Sequence, residues 1–315
     1  MATLGFESKI GEKITNAASK AMGRAIRENA VRTFCFFCAA VSIIATVGIV
    51  YVLVSETVPF FKEASLIEFL TGRTWQPTHI NTPQYGVWPL LMGSLMITIG
   101  SGLVSIPLGL LVGIYLAEYA PSGVRKVLKP LLELLAGIPS VVFGYFALTL
   151  ITPALKNVIP GISPLNAAAG AIVVGFMTLP LVASLCEDAI SAVPKALSEA
   201  AYGLGSTKAE VIIKIVLPSA LSGIVASFIL ALSRAVGETM AVTIAAGATP
   251  RFTLDPTKDI MTMTAQIVNF SKGDIDRGDI RYLSIFAIGL LLFVITFTMN
   301  LVAQRFVRKV GRPAK

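Results

Sequence analysis

Six long apolar stretches run through this chain of 315 residues and constrain its fold more than any other feature. A helix needs about 20 mainly apolar residues to cross the roughly 30 Å of hydrocarbon in a bilayer. Stretches of that kind lie at about 33–54, 88–116, 130–151, 166–186, 219–247 and 283–303. Because backbone polar groups must be satisfied internally within lipid, the sequence predicts an all-α membrane protein with six transmembrane helices.

Proline and glycine interrupt three of the middle stretches. Pro107 lies inside the second, the G-I-P-S sequence at Gly137–Ser140 lies inside the third, which opens at Pro130, and Pro180 lies inside the fourth. Membrane helices tolerate such residues when neighbouring helices satisfy the freed backbone groups. The interruptions therefore indicate a packed bundle around a pathway rather than six helices surrounded by lipid.

The placement of charge predicts the orientation of the chain. Only 14% of the residues are charged, well below the quarter that is usual in soluble domains. The net charge of +8 does not indicate nucleic-acid binding, because most Lys and Arg residues lie in short segments beside the apolar stretches. The two termini and the second and fourth loops carry 17 of them, against eight in the other loops. The excess of positive charge predicts that both termini are cytoplasmic.

Three segments follow from this orientation. Residues 1–32 form a polar cytoplasmic tail, residues 33–303 form the transmembrane domain within the lipid bilayer, and residues 304–315 form a basic cytoplasmic tail. The first tail is too long and too charged to be the n-region of a cleaved signal peptide, so we expect the first span to act as an uncleaved signal-anchor.

Few residues offer metal or cofactor chemistry. His79 is the only histidine and lies in a loop, and one histidine cannot build a metal site. Cys35 and Cys38 stand at the start of an apolar span without polar partners, so we interpret them as small hydrophobic residues. The sequence Gly203–Lys208 lacks the spacing of a phosphate-binding P-loop. We therefore expect no metal, no cofactor and no catalytic residue.

Residues 187–218 form the most polar helical segment between the later spans. Gly205 permits a turn between two short helical runs, and Ser206 or Thr207 is a candidate N-cap for the second run. Two short helices at an angle would form a compact cytoplasmic knob that can dock into a groove on a partner. From the residues alone, a connector that binds nothing is equally compatible.

This segment resembles the EAA loop of ABC-importer permeases, whose pattern is E-A-A, three residues, G, nine residues, I, one residue, L-P. The matching residues are Glu199, Ala200, Ala201, Gly205, Ile215, Leu217 and Pro218. In that family the loop forms a coupling helix that sits in a cleft of the ATP-binding subunit. The resemblance implies that ATP-driven closure of two partner subunits pushes on this loop. It also implies that the partner subunits hydrolyse ATP, and that this chain is not itself an enzyme.

Two charges lie inside the predicted fifth span. Arg234 lies near its midpoint, and Glu238 lies one turn further on, on the same helical face as Ser227. Each charge costs about 2.5–3.5 kcal/mol at a lipid-facing helix centre, so we expect both to face the bundle or water. They either pair and fix helix packing, or line a translocation site where the guanidinium suits a tetrahedral oxyanion and Glu238 competes for it. Glu187 and Asp188 follow the fourth span, and we expect them to be solvated or to contact the coupling region.

Further stretches resemble the phosphate-specific branch of these permeases. L-A-G-I-P-S-V-V-F-G-Y-F at Leu135–Phe146 is similar to its third-span motif, and S-R-A-V-G-E-T-M-A-V at Ser233–Val242 to its fifth-span motif. The first outer loop resembles the PstC type more than the PstA type. The resemblance implies a type I importer fold in a prokaryotic cytoplasmic (inner) membrane. The implied partners are a PstA-type permease, two PstB-type ATPases and an extracytoplasmic PstS-type phosphate-binding protein.

Three other functions stay open on the sequence. A permease for sulfate, molybdate or phosphonate would carry the same EAA loop, although the third-span and fifth-span motifs favour phosphate. An anion channel or a sensor without ATP coupling would not need that loop. A membrane enzyme would need a polar catalytic cluster beyond Arg234 and Glu238, and the remaining acidic residues are scattered.

Overall fold

The computed structural model describes residues 2–79, 82–273, 275–276 and 278–310. The chain divides into two units, Met1–Ser55 and Glu56–Lys315. The end of the predicted basic C-terminal tail, residues 311–315, lies outside the described residues.

Helices account for nearly all of the regular structure in the described residues. The elements of the first half are α1 (Ala2–Glu63), α2 (Leu66–Thr71), β1 (Trp75–Gln76), β2 (Gln84–Tyr85), α3 (Trp88–Ile114), α4 (Ser122–Ala136), α5 (Ser140–Phe146) and α6 (Thr152–Val158). Those of the second half are α7 (Ala167–Ser191), α8 (Lys195–Gly203), α9 (Lys208–Val211), α10 (Leu217–Val236), α11 (Met240–Ala246), α12 (Met263–Ser271) and α13 (Ile280–Val310). Three π-helical turns extend or join neighbouring helices, at Tyr115–Tyr119, Ala147–Ile151 and Ile212–Val216.

The predicted six spans are confirmed: among the described residues, six helices are long and apolar enough to cross a membrane. Their bounds are Arg27–Glu63, Trp88–Tyr119, Ser140–Val158, Ala167–Ser191, Lys208–Val236 and Ile280–Arg305. The first, second, fourth and sixth contain the predicted stretches almost entirely, whereas the third and fifth differ from them.

The third predicted stretch, 130–151, merges parts of two helices. The chain breaks at Gly137–Pro139, as the G-I-P-S sequence predicts, because a proline disfavours helical backbone in the residue before it. Residues before the break belong to α4, which is amphipathic, while the span itself runs through α5 and α6 to Val158. The break therefore separates a charged helix from an apolar one.

The fifth span is shifted toward the coupling segment relative to the predicted 219–247. It begins at Lys208, passes through Pro218 and ends at Val236, after which α11 forms a separate short helix. Pro218 lies in the first turn of α10, and the π-helical turn before it leads into that turn without interrupting the helix. The predicted second helix of the knob is therefore the start of the span and not a separate element.

Close packing of α3 against α7 forms the centre of the second unit. A Cβ atom added at Gly109 would lie 2.6 Å from Val182, and one added at Gly175 would lie 2.7 Å from Val104. Small residues at such contacts let two membrane helices approach closely, which is how helices associate in lipid without a hydrophobic driving force. Neither glycine can be enlarged without moving the two helices apart.

A small aromatic layer covers one end of the second unit. Trp75 in β1 pairs with Tyr85 in β2, and their rings meet edge to face at 5.8 Å between centroids. Phe60 and Phe69 pack against the same group, and all four side chains are buried. Burial, with a smaller contribution from Asp279, raises the pKa of Tyr85 to about 12, so its hydroxyl stays protonated.

Candidate functional site

The predicted coupling segment forms a helix, a tight turn and a second helix start. After α8, Gly205 adopts a left-handed φ of +87°, a conformation that residues with a Cβ rarely adopt. Thr207 is the N-cap of α9, and it forms a capping box in which the Glu210 carboxylate accepts the Thr207 backbone N–H at 3.0 Å. Of the two candidate caps, Thr207 is thus the one used.

One face of α8 is anchored and the other is free. Ala201 is buried in a cluster with Val211, Val216 and Cys186. Glu199 and Ala200 are exposed. The later residues of the pattern lie along the start of the fifth span, where Ile215 and Leu217 are half-buried and Pro218 is exposed. The anchored turn therefore presents a short helical edge that a groove on another protein can contact.

Glu187 lies at the start of residues 187–218, and the structure contradicts one of its two expected environments, solvation. Its side chain is fully buried and not solvated, and it forms ion pairs with Arg125 and, at 2.5 Å, with Lys129 of α4. Asp188 is exposed as expected and pairs with Lys129 at 2.8 Å. The carboxylate of Glu187 therefore ties α4 to the end of α7. The i, i+4 spacing of the two basic residues is the only sequence signal that could have indicated a shared partner.

Arg234 and Glu238 do not share a continuous helix. Arg234 stands in the last turn of α10 and is exposed, while Glu238 lies in the break before α11. The Glu238 carboxylate accepts the Ala241 backbone N–H at 3.2 Å, and its carbonyl oxygen accepts the Thr264 hydroxyl at 2.8 Å. Within the described part of the chain, no ion pair joins Arg234 to Glu238. The guanidinium is thus left available to an anion.

Ser227 lies two turns before Arg234 and is buried. Its hydroxyl donates to the Ile224 carbonyl at 2.7 Å and lies 3.1 Å from the Cys186 sulfur. Ser227 therefore contacts the fourth span, and the structure does not bring its hydroxyl to the exposed side of Arg234.

A cavity of about 490 Å³ lies between the spanning helices α3, α10 and α13. Ser94 and Thr98 face it together with apolar side chains such as Leu232 and Met299, and none of the described residues that line it is charged. This cavity does not suit an anion, so the charged candidates remain Arg234 and Glu238. Among the described residues, no group of three His, Cys, Asp or Glu side chains could hold a metal ion.

The chain is similar to known transport proteins. A family profile described as "Binding-protein-dependent transport system inner membrane component" matches residues 109–312. The "Probable ABC transporter permease protein YqgH" of Bacillus subtilis (strain 168) is 35% identical over 269 residues, which are 85% of this chain and 86% of that protein. The "Phosphate transport system permease protein PstC" of Mesorhizobium japonicum is 33% identical over 262 residues, or 77% and 78% of the two chains.

The fold is also found in a solved transporter. A chain of the MetNI methionine ABC transporter, in an inward-facing conformation, superposes with a TM-score of 0.57 at 21% sequence identity. The superposition covers 72% of this chain and 98% of that one. The superposed part of the chain therefore has the fold of an ABC-importer permease of type I.

Proposed function

Because the chain belongs to the family of binding-protein-dependent transport system inner membrane components, we propose that it is the permease subunit of an ATP-driven importer of inorganic phosphate. The phosphate assignment is supported by the similarity to PstC permeases and by the third-span and fifth-span motifs. It also accords with an intramembrane guanidinium that no carboxylate among the described residues neutralises.

The anchored turn after α8 is the observation that carries this proposal. Its exposed edge around Glu199 and Ala200 is held in place by buried Ala201, by the left-handed Gly205 and by the Thr207 cap. A connector without a partner has no need of a rigid, exposed helix of this kind. We assign this edge to the groove of a separate ATPase subunit, which supplies the energy of ATP hydrolysis.

The remaining partners follow from the family. The importer would combine this chain with a second permease subunit of the PstA type, two ATPases of the PstB type and an extracytoplasmic phosphate-binding protein of the PstS type. The excess of Lys and Arg in the two termini and in the coupling segment supports a cytoplasmic location for both ends of the chain.

Arg234 and Glu238 are assigned to the substrate pathway. A guanidinium presents paired N–H donors that match the oxygen atoms of a tetrahedral oxyanion. Glu238 is held in the break after α10 by hydrogen bonds to Ala241 and Thr264, and in this proposal its negative charge opposes long residence of an anion in the pathway. Ser227 can join the pathway only when the fourth and fifth spans move apart, because its hydroxyl is buried against Cys186.

Reconstitution tests this function directly. The chain is assembled in proteoliposomes with the second permease, the ATPase and the binding protein, and uptake of radiolabelled phosphate is measured with and without ATP. We expect ATP-dependent uptake of phosphate that excess sulfate or molybdate does not inhibit. Uptake of sulfate but not phosphate would contradict the substrate, and uptake that needs no ATP would contradict the importer mechanism.

A further inference from the structure

A polar cleft of about 340 Å³ lies between the β1 region, the segment that follows α11, and α12. In the chain, the coupling turn precedes the fifth span and the cleft residues Thr249 and Gln266 follow it, so we infer that one membrane crossing lies between the two. The rest of the lining comes mainly from the β1 region, where Arg73, Trp75 and Gln76 contribute. Arg73, Gln76 and Thr249 are exposed, so the cleft is open to solvent.

Two hydrogen-bond donors at the floor of this cleft have no partner. The indole Nε1 of Trp75 and the amide Nε2 of Gln266 are buried without a hydrogen-bond partner, and each residue is only 2% exposed. A third such atom, the Tyr85 hydroxyl, belongs to a residue that does not line the cleft. A buried donor that lacks an acceptor is costly and rare in folded proteins, so two at one site indicate a missing acceptor.

The charge of the cleft favours an anionic acceptor. Arg73 contributes a guanidinium, which stacks over the Phe252 ring at 5.4 Å from its centroid. No carboxylate in the described part of the chain pairs with Arg73. No Asp or Glu is found among the described residues that line the cleft. A cationic group with two neutral donors and no competing acid matches a small oxyanion.

The cleft is also connected to the assigned pathway. Gln266 lies in α12, and Thr264 two residues earlier donates its hydroxyl to the Glu238 carbonyl. The start of α12 is fixed to the second span as well, since the Met263 backbone N–H donates to the Ser94 hydroxyl at 3.0 Å. The floor of the cleft and the break beside Arg234 therefore share one short helix.

We propose that this cleft is a first binding site for phosphate, where the anion accepts hydrogen bonds from Trp75 and Gln266 before it reaches Arg234. The identity of the anion rests on the proposed function, whereas the site itself rests on the two unpaired donors and Arg73. The loaded binding protein would release phosphate beside an open, cationic cleft and not directly into the bundle.

Fluorine NMR of the full chain tests this site without any transport. The chain contains two tryptophans, so 5-fluorotryptophan labelling gives two signals, which a Trp88→Phe variant assigns. Trp88 is a built-in control because its indole already donates to the Leu70 carbonyl at 2.9 Å. The labelled chain, in lipid nanodiscs, is titrated with inorganic phosphate, and with chloride at equal ionic strength as the control.

We expect the Trp75 signal to move in a saturable manner with phosphate while the Trp88 signal stays in place. Gln266→Met, which keeps the volume of the side chain, and Arg73→Gln, which is at the surface, should each weaken the apparent affinity by about tenfold or more. A Trp75 signal that phosphate does not move, or that moves equally in Gln266→Met, would overturn the proposal. So would a Trp75 signal that chloride moves as much as phosphate does. Phosphate uptake by the reconstituted importer alongside any of these outcomes would leave the proposed function intact.

Discussion

Individual charged residues set the chemistry of this chain, and their partners decide what each of them does. Both carboxylate oxygens of Glu187 are paired, one with Arg125 and one with Lys129, so this residue holds α4 and α7 together. Arg234 pairs with no carboxylate in the described part of the chain and is exposed, so it can bind an anion. We therefore propose a structural role for Glu187 and an anion-binding role for Arg234, and each role predicts a different result of mutation.

Replacing Arg234 tests the anion pathway. Arg234→Leu removes the guanidinium without filling a packed site, so the variant should assemble normally while phosphate uptake falls below detection. Arg234→Lys keeps the charge but loses the paired donors, and uptake should fall about 10–100-fold. Uptake assays in proteoliposomes with matched subunit content measure both. Normal transport by Arg234→Leu would mean that this residue only affects packing.

Removing the buried carboxylate tests the tie between α4 and α7. Glu187→Ala removes a fully buried carboxylate from Arg125 and Lys129, whose side chains are 39% and 30% exposed, so the loss of stability should be about 1.5–3 kcal/mol. Asp188→Asn is the matched control, because that carboxylate is 57% exposed and exposed pairs are worth about 0–1 kcal/mol. Thermal unfolding of the purified chains should show a large loss for Glu187→Ala and a small one for Asp188→Asn. Equal losses of thermal stability in the two variants would contradict the larger structural role assigned to Glu187.

At the scale of elements, short breaks and turns determine where the functional groups stand. The break at Gly137–Pro139 separates amphipathic α4 from the third span, and the break after Val236 places Arg234 at a helix end. The turn at Gly205 fixes α8 against the start of the fifth span. The position of α8, which contacts the ATPase in our proposal, therefore depends on the left-handed backbone conformation of Gly205.

Gly205→Trp tests the coupling turn. The side chain would enter open space, since no atom lies within 4 Å of the added Cβ, but it would stand on the docking edge and strain a φ of +87°. We expect ATPase activity to become independent of phosphate uptake while membrane insertion persists. Gly161→Trp is the control, because Gly161 has a φ of +85° and equally open space outside the coupling segment. Uncoupling by both variants, or by neither, would contradict a role specific to the turn.

Much of the element structure was accessible from sequence because local chemistry dictates it. The Gly205 turn, the cap before α9 and the G-I-P-S break follow from neighbouring residues. The end of α10 does not, because Ala241–Ala246 continues the apolar stretch and hydropathy alone cannot separate the two helices. Two other features join residues that are far apart in the chain, so only the folded protein brings them together. These are the ion pairs of Glu187 and the cleft that both Trp75 and Gln266 line.

At the scale of the whole molecule, alternation of the six spans makes the orientation of the chain testable. The native cysteines Cys35, Cys38 and Cys186 are first replaced by Ala, and single cysteines are then introduced as Glu199→Cys or Lys258→Cys, both at exposed positions. In intact cells a membrane-impermeant maleimide should label Lys258→Cys and reach Glu199→Cys only after permeabilisation. The reverse pattern would place the coupling turn outside the cell and contradict the importer mechanism.

The helix that starts at Lys208 reaches Val236 without a break, over 29 residues or about 43 Å at 1.5 Å per residue. The surface assigned to the ATPase lies on α8, which packs through Ala201 against the start of this helix, and the guanidinium assigned to phosphate lies in its last turn. A displacement of α8 would therefore be transmitted along one continuous helix to the anion-binding end, through the π-helical turn at Ile212–Val216. ATP hydrolysis by the partner subunit would then set the time at which the anion is released. A flexible insertion in this helix would therefore uncouple the ATPase cycle from the transport cycle.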